Sequence, residues 1–333
     1  MNEDTLIKDI EFPVDKRKIP KRISTEFMQR RVTKQKSVTI DKFVSSQVDL
    51  VDTNKISESI SQLSSFHNRH TKSQYIHQVA EHLKNQILSL GYTNDNVYYH
   101  KYTEHNINLE NVICIKQGLT NKTILICGHY DTILCPNTND IESRAPGADD
   151  NASGIAIILE ILRLISKINF NYTIIFALFS GEEQGLWGSK HYAKYVKENN
   201  IDLHLVINLD MCGVTAFLPS ENTTFVDIDD GSTGEVDTNN EPSQRFGNKM
   251  EQTALDYTEL KVAFDPIFAS DYMYFEAAGY VCIGAYDGSA VTNNPNYHSP
   301  GDVLSNLNFD FLTSVTKMVL AFILIQGEYS LEQ

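Results

Sequence analysis

The sequence predicts an α/β fold, a three-layer α/β/α arrangement around a mixed, largely parallel central sheet in a single domain. Three observations predict it. The short runs 123–127, 173–179 and 205–209 are apolar almost throughout, the pattern of strands covered on both faces. Helical stretches alternate with them, as in a sheet whose parallel neighbours are joined by helical crossovers. The chain's 333 residues suffice for one large α/β domain.

In chain order, residues 1–48 hold no sustained apolar period and carry basic clusters such as Lys16-Arg17-Lys18 and Arg30-Arg31, so they read as an extended or mobile arm ahead of a domain at 49–333. From Asp52 the period becomes helical, with Ile56, Ile60 and Leu63 on one face. A second helix carries Ile76, Val79, Ala80, Leu83, Ile87 and Leu90 and stops at Gly91. Runs 112–115 and 123–127, separated by the turn-like 118–122, read as a hairpin. A helix follows from Ser153, a good N-cap residue, to about 165, and another spans about 186–198. The polar stretch 219–242 reads as a surface excursion with room for short strands, near where substrate specificity would be set. Beyond it, 243–256 and 270–278 look helical and 280–284 looks like a strand. From Phe309 a closing helix carries Leu312, Val315, Met318, Val319 and Phe322. No internal repeat or low-complexity tract interrupts the pattern.

Charge narrows the function classes. The net charge of -15 is unevenly shared: residues 1–48 hold 11 Lys/Arg against 7 Asp/Glu, and the remainder 17 against 36. An acidic body argues against nucleic acid as partner, and the basic arm reads as a solvated or body-docked leader. No stretch of about 18 uninterrupted apolar residues is present, so no membrane span is expected. The five cysteines form no C-x-x-C pair and read as small hydrophobes of a reduced protein. No secretory leader is legible at Met1-Asn2-Glu3-Asp4, which makes the cytoplasm the expected compartment unless the chain has been trimmed from a secreted one.

The chemistry-bearing residues cluster at strand ends. Gly128-His129-Tyr130-Asp131 follows the first run. A histidine there can offer one ring nitrogen to a cation while an acceptor holds the other, and Asp131 is placed to be that acceptor. Asp149 and Asp150 sit in a loop of small residues before an apolar helix. There they read either as helix-start acids or, for a carboxylate with two oxygens, as a bridge between cations about 3.5–4 Å apart. Glu182 and Glu183 end the second run, where neighbouring side chains point apart, so one can meet a cation and the other an attacking water; acids of a first helical turn are the blander reading. Asp210 ends the third, where a lone buried acid is costly without a partner. With His298 the count is two imidazoles and three carboxylates and no thiolate, a nitrogen and oxygen set that suits Zn2+, with manganese or cobalt as substitutes.

With these residues the chain resembles the co-catalytic di-zinc aminopeptidase family, whose fold also serves glutaminyl cyclases and inactive receptor ectodomains. The resemblance runs from about Asn54 onward. It rests on Gly128-His129-Tyr130-Asp131, 147–154, Ser180-Gly181-Glu182-Glu183-Gln184-Gly185, Asn208-Leu209-Asp210-Met211, Ser270-Asp271 and 296–302. It implies two Zn2+ per chain, bridged by Asp150 with a cis peptide to Asn151. His129 and Asp210 complete one site and Glu183 and His298 the other. It implies Glu182 as general base, Tyr297 as a phenol toward the oxyanion or a pocket wall, and Met211 as lining for the first side chain. The implied substrate is a peptide with a free amino terminus, cut at its first bond. Tyr272 and Val281 depart from the family's frequent His and Pro. A glutaminyl cyclase and a non-catalytic binding domain are the alternatives, and retention of every ligand position favours hydrolysis. Oligomeric state is not legible.

Overall fold

In a computed structural model of the chain, residues 36, 37, 39–218, 223–231, 239–267, 269–288 and 294–330 are described. Helix α1 (Lys42–Val48) is capped by Asp41, whose carboxylate accepts from the amides of Phe43 and Val44, and it buries Val44 and Val48. Most of the expected arm lies outside the described residues. Its last seven residues differ from the expectation of extended chain, because two valines four apart find an apolar seat and Phe43 stacks on Tyr329 with centroids 4.5 Å apart. Helices α2 (Thr53–Ser65) and α3 (Ile76–Ser89) follow, burying the apolar stripes read from their period.

Strands β1 (Val97–Glu104) and β2 (Ile107–Lys116) form an antiparallel hairpin. His105 and Asn106 supply its two-residue turn with φ of 47° and 62°, the left-handed pair whose twist matches the strands. The hairpin expected between 112–115 and 123–127 is therefore corrected. Strand β3 (Thr123–His129) never pairs with β2, since β5 (Thr173–Phe179) lies between them, antiparallel to β2 and parallel to β3. The physical reason is that β5 is buried along its whole length, and a strand apolar on both faces belongs inside a sheet.

Helix α4 (Gly154–Ile165) precedes the short β4 (Asn169–Phe170), and α5 (Trp187–Glu198) leads to β6 (Leu203–Leu209). Strands β7 (Ala216–Leu218) and β8 (Thr223–Asp230), helix α6 (Asn240–Tyr257), β9 (Lys261–Asp265), α7 (Met273–Ala277) and β10 (Cys282–Tyr286) follow. Helix α8 (Phe309–Gln326) and β11 (Tyr329–Ser330), which pairs with β4, close the chain. The main sheet runs β1-β2-β5-β3-β6-β10-β8-β7, with β9 on β8. Its centre, β5-β3-β6-β10, is parallel and its flanks are antiparallel except for β8 with β9. Alternate residues serve two cores. Ile124, Ile126, Phe176 and Ile207 face the side of α2, α4 and α8, while Leu125, Cys127, Ile175 and Val206 face α5 and α7.

The stretch expected as a surface excursion is also corrected. Residues 219–222 and 232–238 lie outside the described ones, but β8 between them pairs with β10 in the main sheet. Its Val-Asp-Ile-Asp alternation turns Val226 and Ile228 into the core and buries Asp227 and Asp229, and the Tyr272 hydroxyl donates to Asp229 at 2.6 Å. Helix α8 is long and apolar enough to cross a bilayer; here its apolar residues from Phe311 to Leu324 are buried in the core.

At Gly118 the chain passes directly over β5, so an added Cβ would fall on backbone atoms of Tyr172 and Thr173. Gly118→Ala is expected to destabilise the fold by about 1–3 kcal/mol, read as a lower urea midpoint. An unchanged midpoint would indicate the open turn of a β2–β3 hairpin.

Candidate metal centre

Because β5, β3, β6 and β10 run parallel, their carboxyl ends meet at one edge, the position where open α/β sheets gather ligands. His129 is the last residue of β3 and pairs in register with Phe179 of β5. Asp210 follows the end of β6, and Glu182 and Glu183 lie just past β5. Asp150 lies in the turn Ala148–Ser153, where it leaves helical geometry at φ -101°, ψ 93°. The peptide from Asp150 to Asn151 is cis, as the resemblance implied. His298 enters from the loop before α8 with φ 51°.

The structure brings these side chains together. His129 Nε2 is 3.2 Å from Asp150 Oδ1 and 3.2 Å from Asp210 Oδ1. His298 Nε2 is 2.9 Å from Asp150 Oδ2 and 3.0 Å from Glu183 Oε1. Each imidazole nitrogen thus faces two carboxylates almost equally, and Asp150 gives one oxygen to each ring. A single N–H aims at one acceptor, whereas two donors on one tetrahedral zinc at about 2.0–2.1 Å lie about 3.3 Å apart. The separations fit a shared cation on each side of Asp150, and the candidate donor atoms of His129, Asp150 and Asp210, and of Asp150, Glu183 and His298, lie within 4.8 Å of one another. Glu182 is fully buried, with Oε2 3.9 Å from His129 Nε2.

Electrostatics point the same way. Burial alone would lower the His129 pKa, but the charges of Glu182 and Asp210 and hydrogen bonds to Asp150 and Asp210 hold it well above its ordinary value. His298 behaves alike, with burial outweighed by Glu183 and Asp150. Burial would raise the Asp150 carboxyl, yet the two imidazoles hold it well below the usual range. The acids Asp131, Asp149, Asp150, Glu182, Glu183 and Asp302 are all buried, and concentrated buried negative charge calls for cations.

Neighbouring residues aim the donors. Asp131 stands beside His129 Nδ1 as the expected acceptor, and does so through its main chain more closely than through its side chain. The nearer atom is the Asp131 carbonyl oxygen, at 3.3 Å, with the carboxylate at 3.8 Å. The carboxylate instead accepts from the amides of Glu182 and Glu183, both at 3.1 Å, and so fixes the turn that carries them. Burial pushes its pKa up to about 6. Ser153 does not cap α4 with its side chain. Its hydroxyl donates to the Asp149 carbonyl at 2.7 Å and accepts from Cys212 N, and Asn151 Oδ1 takes the Gly154 amide at 3.0 Å. Asp149 turns away, accepting from Gly213 N at 2.8 Å. Met211, buried with φ 49°, donates its amide to Asn151 Oδ1 at 3.2 Å. Tyr297 stacks on His298 with ring centroids 3.6 Å apart.

Sequence reasoning missed several supports. Asp302 accepts from the amides of Asp149 and Asp150 at 2.9 and 3.0 Å. Ser270 Oγ donates to Asp210 Oδ2 at 2.6 Å. Arg69 is fully buried and donates to the carbonyls of Tyr130, Pro146 and Gly147, tying the Asp150 loop to the end of β3. Desolvation draws its pKa down to about 10. Gly147 stands at φ 53° against Arg69 and Thr132, where a Cβ has no room. Asp302 and Ser270 stood inside the motifs, but nothing in the sequence marks Arg69.

A sequence profile described as peptidase family M28 matches residues 111–323. The chain belongs to this family. The match includes all the candidate donors of the M28 chain. A probable leucine aminopeptidase of Arthroderma otae is 29% identical over 220 residues, 64% of this chain and 55% of that protein, so the M28 chain spans about half that relative's length. A probable zinc metalloprotease of Pyrenophora teres f. teres is 38% identical over 109 residues, 32% of this chain and 23% of that one. The LapA aminopeptidase of Legionella pneumophila shares the fold, with TM-score 0.73 at 21% identity over 91% of this chain and 79% of that one.

A cation can bind His129 and His298 only through unprotonated Nε2 atoms, and both rings in the M28 chain hold protons more tightly than ordinary histidines. Binding therefore expels protons, and apparent Zn2+ affinity should rise from about pH 6 to about pH 8. Chelator competition and calorimetry in buffers of different ionisation enthalpy measure this. Affinity independent of pH, with no proton release, would contradict it.

Proposed function

We propose that the chain is a zinc-dependent aminopeptidase that hydrolyses the first peptide bond of substrates with a free amino terminus. One observation carries the reading: the Asp150 carboxylate stands between two imidazoles, one oxygen to each, with Asp210 beyond one ring and Glu183 beyond the other. His129, Asp150 and Asp210 would hold one Zn2+, and Asp150, Glu183 and His298 the second. The donor set, nitrogen and oxygen without sulfur, fits the metal, and a probable zinc metalloprotease is among the relatives. When bound, such ions supply Lewis acidity toward a carbonyl and lower the pKa of water.

The residues of the chain do the rest. Glu182, buried beside His129, accepts a proton from the attacking water and returns it to the leaving amine as the C–N bond breaks, so atoms and charge balance. Asp131 holds Glu182 and Glu183 in register through their amides. Tyr297, half-buried against His298, presents a phenol toward the tetrahedral oxyanion, and Met211 lines the wall for an apolar first side chain. The acids around the centre attract the free α-ammonium of a peptide and disfavour acidic polymers such as nucleic acid.

Glu182→Gln is expected to keep its zinc and lose about 10²–10⁴-fold in turnover of a leucyl chromogenic amide, measured beside metal analysis and with chelator as control. Chelator-insensitive turnover, or a fast Glu182→Gln, would overturn the reading. A parallel assay on a glutaminyl amide, in which the product is ring-closed, would instead indicate a glutaminyl cyclase.

A further inference from the structure

Cys135 differs from the other cysteines. Cys114, Cys127, Cys212 and Cys282 are buried, whereas Cys135 is exposed. Its Sγ lies 3.4 Å from Nδ1 of His298, and its amide donates to the His298 carbonyl oxygen at 2.9 Å. Two contacts, one main-chain and one side-chain, thus join residues 163 positions apart. His298 needs such support, because its φ of 51° is a left-handed conformation that a residue with a β-carbon seldom adopts.

The chemistry gives the sulfur a task. A ring that offers its Nε2 lone pair to a cation carries its hydrogen on Nδ1, and that N–H requires an acceptor to fix tautomer and direction. The usual acceptors are a carboxylate, a backbone carbonyl or water. For His129 a carbonyl oxygen, that of Asp131, is in place at 3.3 Å. For His298 the nearby atom is a thiol sulfur, a weak acceptor. The two halves of the centre are unlike in this respect: one rests on backbone, the other on a side chain that solvent can reach and reagents can alter.

We propose that Cys135 is a positioning residue for His298. Its sulfur accepts the Nδ1 hydrogen and aims Nε2 at Asp150 and Glu183, so that covalent modification of the thiol loosens that half of the centre and spares the half built on His129 and Asp210. The inference rests on the metal reading of the site given above.

The test is a Zn2+ titration of metal-free wild type, Cys135→Ala and Cys135→Ser against a chromogenic chelator. Wild type takes up two equivalents. Cys135→Ala weakens one of them about 10-fold or more and leaves the other unchanged, the size expected when an outer partner of a ligand is lost, while Cys135→Ser, whose hydroxyl accepts the same hydrogen, stays within about 3-fold of wild type. Alkylation with iodoacetamide, in which the thiol proton passes to buffer, an S–C bond forms and iodide leaves, reproduces the alanine result in wild type and has no effect on Cys135→Ser. A purely structural role would lower both affinities together and give serine no advantage, and that outcome would overturn the proposal. So would two unchanged equivalents in Cys135→Ala, which would leave the metal reading intact. A wild-type chain that takes up no Zn2+ would overturn the metal reading and this proposal together.

Discussion

The site depends on the placement of one carboxylate. Asp150 faces His129 with one oxygen and His298 with the other, which requires its backbone to leave helical geometry immediately before an apolar helix. The surroundings are arranged to hold it there. Asp302 takes the amides of Asp149 and Asp150. Asn151 reaches the Leu209 carbonyl at the end of β6 and accepts the Gly154 and Met211 amides. Arg69 gathers the carbonyls of Pro146 and Gly147 from below. A turn with this many fixed partners loses little further freedom on binding a ligand, which is how a scaffold preorganises a charged site.

The sheet supplies the second half of the arrangement. Three of the four parallel strands, β3, β5 and β6, deliver His129, Glu182, Glu183 and Asp210 to one edge, and each strand is anchored on both faces by apolar side chains. Buried acids at that edge would be costly in isolation. They are tolerable because Arg69 and two imidazoles stand among them, and because the donor arrangement suits further positive charge. The antiparallel flanks leave this edge clear: β1–β2 extends the sheet beyond β5, and β8 extends it beyond β10.

Much of this was legible in the sequence, for identifiable reasons. Strand β5 and helix α8 announced themselves because long apolar runs with clean boundaries allow few alternatives. The five candidate donors were legible because each stands at a strand end or in a motif, and chain topology then dictates their convergence. What stayed hidden was pairing at a distance. Nothing local says that β5 separates β2 from β3, nor that Asp131 spends its carboxylate on amides 51 and 52 residues away. The acids of β8 masked its place inside the main sheet, because their composition suggested a surface. The α1 helix was obscured by the basic residues around it. Arg69, Asp302, Ser270 and Cys135 act through contacts that span 60 to 163 positions, and a single sequence carries no trace of such contacts.

The account is tested most directly by anomalous diffraction at the zinc absorption edge from crystals grown with Zn2+. It predicts two peaks flanking the Asp150 carboxylate, about 3.5–4 Å apart, one beside His129 and Asp210 and one beside Glu183 and His298. A map with no peak at Asp150, or with zinc held only by residues elsewhere, would contradict it.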